Sequence, residues 1–511
     1  MSFIDSTSKT TAAIFSYIFL ALNSVSSILL TPFLLKYLGV DEYGLYQMVY
    51  SMGQYILILD LGIGTVMVRY ISEYLARKDY DGMERFAGMI AFLTAFICIA
   101  VIGVGTIIDL NLEQIFTNLT DDDYSKSHWM LLLMIFQFVI TIIDHYIQGI
   151  ISAYERFVFT KIIGVVKICV VFGLTVLFVY FDFGAVGIVM ANAVAITILT
   201  IIDAVYAFKT LHFRIKLTQW KTPVILPVLG LMMAMLLQSV VGNVNSSVDK
   251  TILGIMCTPL DVTVYSIAAT IITLFNTIPT VISGLFQPQV TRMVVEGTNG
   301  SRLTDLVIRV GRWQFMLCGA FLACLVLFGM DFLNLWIGNR LHSDSLRFSL
   351  WIMFLILPFN MIPLIQTVCI SILNAYDKRI YRSLILVFVC ILHIIFTILM
   401  VKWWGPIGSP LGTALSYFVG YVVLLNIYYS KSLHLEIGRM FKGIVSNIWK
   451  CFILSFLLCS PFFFLQVTTW LGFIFEVCVF ITILFAFLFL IGFTEEEKKI
   501  FGNIIRKVLI R

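Results

Sequence analysis

Charge is scarce in this chain. Of its 511 residues only 12% are Asp, Glu, Lys or Arg while 60% are hydrophobic, and a soluble domain carries roughly 25% charge. That shortage excludes a protein that meets water over most of its surface. The ten cysteines include no CxxC pair and no His/Cys grouping at metal-ligand spacing. Those inside apolar runs (Cys98, Cys169, Cys318, Cys390, Cys478) read as small core hydrophobes. A GxxxxGK phosphate loop is missing, which removes ATP as a direct energy source. Long polar stretches are missing too. The widest gaps, such as 209–222 and 288–307, are too short for a soluble domain of even ~50 residues. The acidic run Asp121 to Asp123 reads as a solvated loop rather than as catalytic carboxylates. The chain is therefore expected to be neither an enzyme nor a cofactor or metal binder.

Apolar length is what the chain has. A helix needs about 20 apolar residues to cross the hydrocarbon, because its backbone groups must bond one another there. Spans are expected near 12–35, 43–66, 86–108, 128–152, 158–181, 184–207, 224–246, 262–287, 308–330, 347–372, 381–401, 407–429, 447–467 and 470–492. The fold class is thus an all-α membrane protein of about fourteen transmembrane helices. The first span follows a segment holding only Lys9 and is too long for a signal peptide, so it is expected to remain as helix one.

Lys and Arg collect in cytoplasmic loops. With the N-terminus inside, only Lys36, Lys126, Lys250, Arg340, Arg347 and Lys402 fall on the opposite side, and Lys167 falls within a span. Every other one of the 34 lies in a cytoplasmic segment, among them Arg77, Lys221, Arg506, Lys507 and Arg511. Both termini are expected in the cytoplasm. The net charge of +5 then reflects topology and gives no reason to invoke nucleic acid.

The chain also repeats itself. Ala153-Tyr154-Glu155-Arg156 ending the fourth span matches Ala375-Tyr376-Asp377-Lys378 ending the tenth. Gly184 and Gly187 opening the sixth match Gly405 and Gly408 opening the twelfth at almost the same offset. A weaker pair is Leu38-Gly39 with Leu253-Gly254. Six spans repeat as six, in the same orientation, as in transporters built from parallel halves. The expected organisation is an N-terminal lobe over 1–215, a C-terminal lobe over 216–432, and an amphipathic linker, two further spans and a cytoplasmic tail over 433–511.

The stretch from Thr31 to Tyr74 resembles the start of the bacterial polysaccharide-exporter and O-antigen (Wzx-type) flippase family. Further resemblances follow in order: VDKTILG from Val248, FLNLWIG from Phe332, ILNAYDK from Ile372 and GPIGSPLGTALS from Gly405. The family belongs to the multidrug/oligosaccharidyl-lipid/polysaccharide exporter superfamily. The resemblance implies two six-helix lobes plus two C-terminal helices in the bacterial inner membrane. It also implies movement of an undecaprenyl-pyrophosphate-linked repeat unit to the periplasmic leaflet for surface polysaccharide synthesis. The implied partners are that polyprenyl-pyrophosphate-linked glycan, membrane lipids, and the polysaccharide polymerase and chain-length machinery.

A charge at mid-membrane costs about 2.5–3.5 kcal/mol on insertion scales, so each such group is a functional candidate. Lys167 either draws the substrate's pyrophosphate or pairs with Asp144 or Asp60. Asp60, between ILIL and LGIG, either carries a proton or sodium ion or bonds a neighbouring helix. Asp144 with His145 is a second titratable site or a structural bond. The segment GNVNSSVDK offers Asn243, Asn245, Asp249 and Lys250 to sugar hydroxyls, or ends a helix with Asp249 and Lys250 in water. Asn276 with Pro279, and Pro358, Asn360, Pro363 and Gln366, mark expected kinks. Arg309 and Arg312, one turn apart, either collect an anionic lipid head or snorkel to the interface. Asn374, within ILNAYDK, is a further pathway candidate. The segment 431–450 is expected to lie as an amphipathic helix on the anionic leaflet.

Three functions fit these residues: a lipid-linked oligosaccharide flippase, a cation-coupled drug antiporter, and a membrane glycosyltransferase or polymerase. The last lacks the catalytic loop it needs. If transport is coupled, the source is a proton or sodium gradient.

Overall fold

A computed structural model describes residues 2–117, 119–217, 222–298, 300–376, 378–464 and 467–499. Lys221, Asp377, Arg506, Lys507 and Arg511 lie outside the described residues. The described chain is helical and contains no strand. Thirteen helical segments are long and apolar enough to cross a membrane. One of them, Ile380–Leu433, has 54 residues and matches two of the spans expected from the sequence. A 3-10 turn at Gly405–Ile407 divides it, with Gly405 at φ 66° in the left-handed region where a side chain is strained. Counting that break, fourteen crossings remain. This is a multi-pass, all-helical membrane protein.

Local chemistry sets several helix ends. The fourth span, Asp121–Ala153, opens on a capping box: Thr120 Oγ1 accepts from the Asp123 N–H at 3.3 Å, and Asp123 Oδ2 accepts from the Thr120 N–H at 3.3 Å. The three aspartates sit in its first turn, where the helix dipole favours negative charge. The expected solvated loop is therefore a helix start. The tenth span breaks at Gln366, between helices Ser343–Ile365 and Thr367–Ala375, just after Pro363.

The second span, Val40–Arg77, is also broken. Its first helix stops at Ile56, a 3-10 turn covers Leu57–Asp60, and Leu61 (φ 53°) and Gly62 (φ 68°) are left-handed before helix Ile63–Arg77 begins. Gly62 is needed twice over, since a Cβ there would also lie 2.7 Å from Met235 Cβ.

By contact the chain forms two compact units, Met1–Ile267 with Cys390–Gly412, and Ala268–Val389 with Thr413–Arg511. In the first, the fourth span packs on the second and sixth. Its Gly149 lies so close to the second span that a Cβ would sit 2.9 Å from Gly64 O and 2.5 Å from Met67 Cβ. Small residues let backbones approach where lipid offers no hydrophobic drive to association.

In the second unit, the ninth span, Gly300–Ile337, carries a core of Met316, Leu327 and Phe328. Ile448, Cys459, Phe480 and Leu484 from the last two spans pack against it. The helix Ile437–Val445 is amphipathic, but its Met440 and Ile444 are fully buried. Its apolar face goes to protein, which corrects the expectation that it rests on lipid. Cys169 and Cys478 are exposed rather than in the core.

Candidate functional site

Asp60 ends the 3-10 turn in the broken second span, so the helix interruption sets its position. His145 Nδ1 faces it from the fourth span, 3.2 Å from Asp60 Oδ1. The histidine side chain is 40% exposed and the aspartate 17%. Interrupted helices free backbone groups at membrane depth, and such places recur as binding sites in transporters.

Asp144 lies on the buried side of the same fourth span, only 2% exposed. One turn on, Gln148 Nε2 donates to Asp144 Oδ2 at 3.0 Å and to Asp203 Oδ2 of the sixth span at 3.1 Å. One amide nitrogen thus holds two carboxylates. Asp203 is 1% exposed, and Oδ1 of both aspartates is buried without a hydrogen-bond partner. Lys167 on the fifth span acts on both carboxylates electrostatically without forming a close ion pair.

A second network lies elsewhere in the same unit. The seventh span runs to Met256 rather than ending near 246, so Asp249 and Lys250 are inside a helix. Asp249 is 3% exposed. It accepts from Tyr265 Oη at 2.7 Å and from Ser409 Oγ at 2.7 Å. His393 Nε2 lies 3.3 Å from its Oδ1 and 3.2 Å from its Oδ2, and is assigned as the donor because an ionised carboxylate only accepts. This burial corrects the water-exposed placement of Asp249, and Lys250 is half-buried within the same helix. Lys250 Nζ donates to Gln47 Oε1 at 2.9 Å. Asn245 Oδ1 takes a weak contact from Cys390 Sγ at 3.6 Å, while Asn243, two residues earlier, is half-buried.

The remaining candidates lie in the second unit, away from these networks in sequence. Arg312 is 5% exposed, and its guanidinium is fully engaged. Nε and Nη2 bind Glu497 at 2.8 and 3.0 Å, Nη1 donates to Gly443 O and Ser446 O, and Nη2 also donates to Gly492 O. It is a clasp holding the ninth span to the C-terminal helices, which corrects both the snorkelling and the lipid-head expectations. Arg309 stays exposed. Asn360 Nδ2 donates to Asn276 Oδ1 at 2.6 Å, joining the eighth and tenth spans. Asn374 is exposed near the end of the tenth.

Sequence reasoning missed Asp203, Gln148, His393, Tyr265 and Ser409. Asp203 and His393 were detectable as ionisable residues within apolar spans; the other three become visible only through their partners.

The described residues thus form a multi-span helical membrane bundle with an interrupted helix and buried ionisable networks. Solved structures give the particulars. The fold matches a structure described as the lipid II flippase MurJ in an inward closed conformation, at TM-score 0.73 and 13% identity over 98% of this chain and 99% of that one. It also matches the Vibrio cholerae MATE transporter VcmN, at TM-score 0.54 and 14% identity over 84% of this chain and 99% of that one. An outward-facing multidrug resistance MATE transporter of the MOP superfamily matches at TM-score 0.56 and 14% identity, over 84% and 96%. No protein-family model matches the sequence, and no curated protein sequence is detectably similar to it. The chain has the fold that these proteins share.

Proposed function

We propose that this protein is a flippase that carries an undecaprenyl-pyrophosphate-linked oligosaccharide from the cytoplasmic to the periplasmic leaflet. Transport would proceed by alternating access of two six-helix lobes, in the synthesis of a surface polysaccharide. The observation that carries the reading is coverage. Likeness to the lipid II flippase runs over 98% of the chain, whereas the MATE transporters cover 84%. A lipid-linked glycan is also the cargo that the five ordered sequence resemblances imply.

In this reading Lys167, half-buried and without a close ion pair, draws the pyrophosphate, and exposed Arg309 gathers the anionic head at the membrane surface. Asn243, Asn245 and Asn374 supply donors and acceptors for sugar hydroxyls. The distribution of Lys and Arg supports cytoplasmic termini, and the family resemblance implies the inner membrane. Polymerase and chain-length proteins would receive the flipped unit. The drug-antiporter reading keeps one support, the buried carboxylates of the first unit, which suit an organic cation.

Reconstitution into liposomes with a lipid-linked oligosaccharide tests the proposal. Externally added glycosidase should reach inner-leaflet substrate only in liposomes that contain the protein, and Lys167→Met should slow that by tenfold or more. Equal access without protein, or no effect of Lys167→Met beside active export of a cationic dye, would replace the reading with the antiporter. Equal rates with and without a proton or sodium gradient would remove ion coupling.

A further inference from the structure

The pairing of Asp144 with Asp203 has a chemical consequence independent of cargo. Asp144 and Gln148 stand one turn apart on the fourth span, and Thr200 and Asp203 one turn apart on the sixth, so two helix faces bring four polar groups together. Gln148 uses its amide hydrogens on the two Oδ2 atoms. What remains are Asp144 Oδ1, Asp203 Oδ1 and Thr200 Oγ1, all buried and without a hydrogen-bond partner. Thr200 is 7% exposed, and its hydroxyl and the Asp203 carboxyl both act on Asp144. The acidic pair therefore sits beside an unpartnered, nine-tenths-buried hydroxyl aimed into it.

Charge decides what such a cluster holds. Two ionised carboxylates on one amide repel each other, and in a membrane interior both cannot remain charged and unpaired. Lys167 offsets one negative charge from the fifth span. His145, on the fourth span, lies 3.2 Å from Asp60 of the second and also acts on Asp144 electrostatically. One negative charge is left over, and one monovalent cation neutralises it. Sodium wants more oxygens than the three on offer. A proton needs only two.

We propose that Asp144 and Asp203 hold one exchangeable proton between them, with Gln148 fixing the two carboxyls and Thr200 completing the ring of oxygens. The proton comes from water and returns to water, and no other bond is made or broken. The site deepens the transporter reading by naming where a proton gradient would act, but its existence does not depend on the cargo.

Infrared titration of the purified full-length protein in lipid nanodiscs tests this. The expected result is a protonated-carboxyl band that appears as pH falls and moves when aspartate is isotope-labelled, which needs no variant. Asp144→Asn and Asp203→Asn should each abolish it, because the surviving carboxyl then stands alone beside Lys167 and stays ionised. Lys167→Met should keep the band to a pH higher by roughly one unit, a tenfold change in proton affinity. The proposal is overturned by a missing band, by a band that survives in either aspartate variant, or by a band that sodium but not potassium removes at fixed pH. A protein that shows the band yet fails to move lipid-linked glycan would lose the proposed cargo and keep the proton site.

Discussion

Arg312 shows how far a single residue's role depends on partners distant in the chain. Removing one member of a buried ion pair leaves an unpaired charge at about 3–5 kcal/mol. Arg312→Ala should therefore lower the thermal midpoint of the purified protein sharply. Arg312→Lys should rescue little, since an ammonium cannot reproduce a fork that bonds Glu497 and three carbonyls. A wild-type melting curve for Arg312→Ala would contradict the clasp. The sequence showed the arginine, but its partner Glu497 lies 185 residues on, past the last span, where spacing gives no sign of the pairing. Asp249 was misread for a related reason. The apolar window closes on Asn243 and Asn245, while the helix continues because Tyr265, Ser409 and His393 satisfy its carboxylate. Asp249→Ala removes the acceptor of all three and should destabilise by about 1–3 kcal/mol or more, read by the same melt, with Asp249→Asn milder.

Elements were more legible than their contacts. Apolar length located every span, and proline and glycine marked the breaks at Gln366 and Gly405. Two features escaped: the acidic run became the capped start of the fourth span, and the linker helix turned its apolar face inward. Both were settled by what packs beside them. The close approach of the second and fourth spans makes a prediction at this scale. Gly149→Ala puts a methyl group against Gly64 O and Met67 and should cost about 1–3 kcal/mol. Gly173→Ala, in a helix with open space around it, should be neutral or slightly stabilising. Thermal melts of the two variants side by side check this, and equal losses would refute the close packing.

For the whole molecule, the described helices give the fourteen crossings expected from apolar length, and the likeness in fold to a lipid II flippase structure covers 98% of the chain. The buried carboxylates of the first unit belong to either cargo, so the fold alone does not choose between them. The most direct measurement is to delete the gene and follow its lipid-linked glycan. Intact lipid-linked units trapped on the cytoplasmic leaflet, with surface polysaccharide lost, are the predicted result. Units that still reach the periplasm while sensitivity to cationic compounds rises would contradict the flippase and make the protein a drug antiporter.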